Sequence, residues 1–462
     1  MNVKRKLGCI FAFSFICFSG CSSIEQPTFK DIIRDINSKH QSIEQETVDT
    51  TQYIGDLIKE EKLKEYYMTT FQGPYDSERV LSQQQILEDI TYLFNAFHDM
   101  YGPYEYFGGA EVFNTVENEI KEEVKEYETL QAKDLEELLL KRLQFIKDGH
   151  FSINKKDLNP IKIPFFFRTH SFKKIKDGYE TADGKKVRSI DGYKNLDELM
   201  KLSISPEGEL VYYPVLLKNC DFRAALESPQ TCEETLIIHY TNGNTEELKA
   251  DSFQIYSDID LEHPNRSKVI SSRQSGEIPI FQFNQFVDRH EDRIFKGAVS
   301  LKEAPIAILD LRSNPGGELD IAEKWMTQYV GKAVPSNKIV VNTKSGQRES
   351  YEKDSWVENK QILIILVGKF SASASESLLD YAYNVENVMI VGENTSGTLI
   401  GESYEISLPN SCCQVNIGSE RLSILPEEDG YFEELRGFYP DIWVPAREAE
   451  TLVLKYLEKN VQ

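Results

Sequence analysis

Three apolar runs in the last third of the chain set its architecture. "PIAILDLR", "QILIILVG" and "VMIVG" are nearly continuous in Ile, Leu and Val. Each breaks at a polar or glycine-containing turn, "SNPGG", "KFSAS" and "ENTSG". Helical spacing follows the first two, and the first of these helices is predicted from about Leu319 to Val330. Apolar strands that alternate with helices predict a parallel sheet covered on both faces. Ligands of such sheets bind beyond the C-terminal strand ends, where the glycine pair and the serine cluster would both lie.

The earlier chain has a different texture. In "LSQQQILEDITYLFNAFHDMYG" the residues Ile86, Ile90, Leu93, Phe94 and Phe97 recur every three or four positions, a helical face. "LEELLLKRLQFIKDGH" does the same and is expected to stop at Gly149. Between about 160 and 260, "IKIPFFF", "ELVYYPVLL" and "ETLIIHYTNG" read as short strands. "KKVRSIDGYKNLDELMKL" reads as strand, turn and short helix, and resembles the V-x-x-I-N-G element of PDZ domains with Asp191 in place of Asn. The division expected is a helical N-terminal domain over 24–155, a β-rich, degenerate PDZ-like segment over 156–265 and an α/β domain over 266–462.

Residues 1–20 stand apart as a signal peptide. "MNVKRK" is a basic leader and "LGCIFAFSFICFSG" an apolar stretch of 14 residues, short of the about 20 a spanning helix needs. Ser19 and Gly20 directly before Cys21 resemble a bacterial lipoprotein cleavage site, which implies a lipid on Cys21; an ordinary cleaved signal is the plainer reading. The expected place is then the bacterial cell envelope, lipid-anchored. Export permits disulfides, and Cys220 and Cys232 flank a polar loop. The formal net charge of −23 repels phosphate backbones and argues against nucleic acid as a partner.

Candidate chemistry centres on Ser371, Ser373 and Ser375. Ser373 stands three residues before Glu376, the spacing of a capping box, so the local reading is a helix start. A serine on a strand-to-helix turn can equally project its hydroxyl into the crevice, with N–H groups at the helix N-terminus to hold an oxyanion. Gly316 or Gly317 would offer a second bare N–H.

The motifs "AILDLRSNPGGELDIAEKW" and "ILVGKFSASASESLLDYAYNVENVMIVGENTSGT" resemble those of one serine peptidase superfamily. It contains the C-terminal processing (tail-specific) proteases and the tricorn core protease. The resemblance implies a ClpP/crotonase-like α/β catalytic domain. It carries over Ser373 as nucleophile, with Ser371 and Ser375 as alternatives because "SASASE" is one step longer than the family pattern. The oxyanion donors would be the N–H of Ala374 and of Gly316 or Gly317.

Tail-specific proteases place a lysine base directly after the Gly of G-E-x-T-x-G, and here that residue is Thr398. Lys369 is near in sequence but has no assured geometry. The tricorn-like branch uses a histidine. Among the seven His, His150 in "DGH" matches that branch's pattern and is the expected base. Glu434, six residues before Pro440, takes the position of the orienting carboxylate, with Glu393 and Asp148 as weaker choices.

The implied activity is peptide hydrolysis through an acyl-enzyme on Ser373, acting on a peptide or protein substrate with no metal or other cofactor. Two alternatives remain: a catalytically silent envelope lipoprotein that binds peptides, and an esterase-like hydrolase on the same scaffold.

Overall fold

The computed structural model describes residues 27–43, 48–56, 58, 62–64, 66, 73–191, 193, 195–227, 234–259, 269–349 and 356–461. Residues 1–20, expected as a signal peptide, lie outside the described residues, as do Cys21 and Cys232.

The apolar runs form the centre of one sheet. Its strands are β1 (Ile270–Ser275), β2 (Ile278–Phe283), β3 (Ile306–Asp310), β4 (Ile362–Val367), β5 (Val388–Gly392) and β6 (Ile442–Trp443), side by side in that order. β2 to β6 are parallel, and β1 closes the edge as an antiparallel hairpin partner of β2.

Both faces are covered, which is why the strands are continuously apolar. Leu363, Ile365 and Val367 face one layer, built from α6 (Glu291–Lys302), α7 (Leu319–Val330) and α8 (Ala374–Ala382). Ile364 and Leu366 face the other, built from α1 (Phe29–Gln41) and α9 (Ala449–Asn460).

That placement corrects the expected division of the chain. α1 was assigned to the N-terminal helical domain, yet its stripe Phe29, Ile32, Ile33 and Ile36 packs on the C-terminal sheet. The helical domain proper is α2 (Gln83–Met100), α3 (Gly109–Val124) and α4 (Ala132–Arg142). Its core includes Ile406, Leu408, Val415 and Ile417 from the far end of the chain. Strand 152–153 pairs with 414–416, Ile153 opposite Val415, so the boundary at 155 cuts through a sheet. A helical face records that something covers it and not what covers it.

α4 also ends at Arg142 rather than running to Gly149. Leu143 and Ile146 are buried in the turn that follows, and Asn159 Nδ2 donates to the Ile146 carbonyl at 2.6 Å.

In the middle segment the expected strands appear as Ile161–Phe166, Leu210–Cys220 and Thr235–Tyr240. The PDZ-like element is strand Val187–Ile190, a turn with Asp191 at φ 43°, and one 3₁₀ turn, Leu196–Glu198, in place of the short helix. The core of this segment takes in Phe370 from the turn after β4, which stacks on Phe222 of α5 (Phe222–Glu227) at 6.2 Å and 16°.

Candidate active site

The turn from β4 to α8 sorts the three serines. Ser371 Oγ donates to the Leu311 carbonyl at 2.8 Å and accepts the Gly368 N–H. Ser375 Oγ donates to the Asn314 carbonyl at 2.8 Å. Both are fully buried, so their hydroxyls tie this turn to the one after β3. Ser373 stays partly exposed at the N-terminus of α8, with φ 54° and ψ −114°. A non-glycine residue there is strained by about 1–3 kcal/mol, and such strain collects where a side chain must be aimed.

Glu376 holds this turn. Its Oε2 accepts the N–H of Ser373 at 3.0 Å and both the N–H and hydroxyl of Thr398 at 2.9 and 3.0 Å. Its Oε1 accepts the Thr395 hydroxyl at 2.6 Å and the Gly397 N–H at 2.7 Å. The capping-box spacing points to only one of these bonds. The other four come from the turn after β5.

The two glycines divide their work. Gly316 lies flat against the serine turn, where a Cβ would sit 2.8 Å from Ser373 Cβ. Its own N–H donates to Asn314 Oδ1 at 2.9 Å and is not free for an oxyanion. The N–H groups of Gly317 and Ala374 have no acceptor among the described residues. That leaves Gly317, rather than Gly316, with a donor to pair with Ala374.

His150 is brought to the same place by its neighbours. Gly149 packs so closely on the turn after β5 that a Cβ would lie 2.5 Å from Thr398 Cγ2. Thr398 Oγ1 in turn accepts the Ser373 N–H at 3.1 Å. The imidazole is 10% exposed, and neither ring nitrogen has a hydrogen-bond partner among the described residues. Nδ1 is 3.8 Å from Asp148 Oδ1. No hydrogen bond joins the ring to the Ser373 hydroxyl.

Glu434 does not touch the ring. It accepts the Gly149 N–H at 2.8 Å through Oε1, and the Leu399 and Ile400 N–H groups at 3.1 Å through Oε2. It fixes the backbone of the His150 loop, while Asp148 is the carboxylate beside the imidazole. Asp148 also accepts the Tyr101 hydroxyl at 2.9 Å and the His150 N–H at 2.8 Å. Burial pushes both carboxyls up; the nearby Asp148 carboxylate pushes Glu434 up further, whereas the His150 side chain and its N–H pull Asp148 back down. Glu393 lies apart from His150 and accepts the Ala446 N–H at 2.8 Å.

Residues 275–442 match Peptidase family S41. The match spans β2 to the start of β6 and takes in both glycines and all three serines of the turn. The carboxyl-terminal-processing protease of Synechocystis sp. is 30% identical over 152 residues, 31% of this chain and 34% of that protein. The carboxy-terminal processing protease CtpA of Bacillus subtilis is 30% identical over 123 residues, 26% of each. The chain thus spans between a quarter and a third of the length of these curated relatives. The crystal structure of mature CPAF aligns with 81% of this chain and 97% of that one, at 13% identity and a TM-score of 0.41.

Thr398, expected at the position of the dyad lysine from the motif resemblance, has its hydroxyl engaged by Glu376 and by the Ser373 N–H. Lys369 does not replace it. Its Nζ is fully buried and bonds to the carbonyls of Thr395, Ser396 and Arg436.

Proposed function

We propose that the protein is an exported, membrane-anchored serine peptidase that hydrolyses peptide bonds through an acyl-enzyme on Ser373, with His150 as general base. The observation that carries this reading is the strained, partly exposed Ser373 at a helix N-terminus, between two serines whose hydroxyls are spent on backbone carbonyls.

Ser373 Oγ attacks the scissile carbonyl carbon as an unpartnered nitrogen of His150 takes its proton. The carbonyl electrons move onto oxygen, where the Gly317 and Ala374 N–H groups receive the charge; one such donor is worth about 3 kcal/mol. Collapse breaks the C–N bond, and His150 returns the proton to the leaving amine. Water then repeats the sequence on the acyl-enzyme. Asp148, 3.8 Å from Nδ1, stabilises the imidazolium. Catalytic hydrogen bonds of this type often close only around substrate.

The anchor rests on the sequence before Cys21. No helix among the described residues is long and apolar enough to cross a membrane.

Labelling by a fluorophosphonate probe tests the chemistry. Wild type should react, Ser373→Ala should not, and His150→Asn should react at least about a hundredfold more slowly. An unreactive wild type would favour the second reading, a silent peptide-binding lipoprotein. Thr398 at the lysine position and the unmade bond between His150 and Ser373 are the observations on that side.

A further inference from the structure

Lys369 lies two residues beyond β4, on the same turn as Ser373, and no part of it reaches solvent. Its ammonium meets three carbonyl oxygens: Thr395, Ser396 at 3.4 Å and Arg436 at 3.3 Å. A charged lysine has three N–H donors, so three acceptors match it one to one. A neutral amine has two donors and a lone pair. It would leave one carbonyl unserved and turn the lone pair toward it.

The segments that supply these carbonyls are the two that build the candidate site. Thr395 and Ser396 lead into Thr398, the acceptor of the Ser373 N–H. Arg436 follows Glu434, which holds the Gly149 N–H beside His150. The segments are also tied to each other, since Leu435 donates to the Gly397 carbonyl at 2.8 Å. Lys369 therefore joins the serine turn to both from beneath.

Two charged groups face it, Glu376 from α8 and Glu393 from the end of β5, and neither is hydrogen-bonded to its Nζ. Burial pulls the ammonium down to about 7, against the pull of these two carboxylates.

We propose that Lys369 is a positioning residue: its charged form holds the Thr398 and Glu434 segments against the serine turn, and loss of its proton sets an alkaline limit on catalysis. This deepens the serine peptidase reading and rests on it.

The test measures fluorophosphonate labelling of the full-length protein against pH. Wild type should slow about tenfold or more between roughly pH 7 and 9. Lys369→Arg, charged throughout, should keep its rate across that range. Lys369→Met should label about tenfold more slowly at pH 7 and show no alkaline fall. Glu393→Gln should keep the fall.

Amide hydrogen exchange at residues 395–400 reads the clamp without catalysis, and should be about tenfold faster in Lys369→Met than in wild type. An alkaline fall that persists in Lys369→Met, or disappears in Glu393→Gln, overturns the proposal. So does a Met variant that loses labelling while exchange at 395–400 is unchanged, because Lys369 would then be the base itself. If wild type is unlabelled at every pH, the peptidase reading has failed, and exchange alone decides whether Lys369 is a clamp. If Lys369→Arg does not fold, the Met variant carries the test.

Discussion

The Ser373 N–H donates to Thr398 Oγ1 at 3.1 Å. The residue expected from the motif resemblance at the dyad lysine's position thus supports the backbone of the candidate nucleophile. Thr398→Lys should not install a dyad, because Gly149 already fills the space beside Thr398 Cγ2. The longer side chain would push the His150 loop away. Labelling should fall by about a hundredfold or more, and a variant that labels faster than wild type would refute this packing.

The serines should separate by double readout. Ser371→Ala and Ser375→Ala each remove one of the two donors to a buried carbonyl, of Leu311 or Asn314, and Ser371→Ala also takes the acceptor from the Gly368 N–H. Each should cost about 1–3 kcal/mol in urea unfolding and keep most of the labelling rate. Ser373→Gly should do the reverse. It relieves the φ 54° strain, raising stability by about 1 kcal/mol, and abolishes labelling.

Glu376→Gln should damage both. Five donors converge on this carboxylate, and an amide would turn an NH₂ group toward two or three of them. A loss of about 2–4 kcal/mol is expected, with labelling down about a hundredfold. Stability within error of wild type would mean that the turn is held elsewhere.

Burial raises the Glu434 carboxyl well above its ordinary 4.5. From about that value upward the folded state holds a proton that the unfolded chain has lost. The unfolded state then binds fewer protons, so stability falls as pH rises through this window. Glu434→Gln removes the term. The unfolding free energy of wild type minus that of the variant should therefore decline from pH 4.5 upward. A difference that is flat or rises with pH would place the carboxyl in a better-solvated setting.

Phe370 of the serine turn packs into the core of the middle segment. Phe370→Ala should cost about 3–5 kcal/mol, since it empties a buried site shared with Phe222. Labelling should slow even where the variant is folded, which limited proteolysis of the middle segment can verify.

Much of this was legible from local pattern. The helix Leu319–Val330 was readable to the residue, because its apolar spacing ends where Gly331 takes the left-handed conformation at φ 89°. The continuous strands announced a two-faced parallel sheet. Helix α4 was over-extended because Leu143 and Ile146 keep helical spacing after the backbone has left the helix. His150 was legible only through the resemblance of "DGH", since nothing local says that its ring nitrogens will be buried without partners.

The sequence by itself determined the apolar sheet-forming runs, the parallel α/β class and the strand–turn–helix that presents three serines. Tertiary structure alone decided which serine keeps its hydroxyl, which glycine keeps its N–H, and that Asp148 rather than Glu434 stands beside the imidazole. The reason is physical. Periodicity is a property of neighbours along the chain, whereas these outcomes depend on hydrogen-bond partners such as Leu311, Asn314 and Gly149, up to 285 positions away.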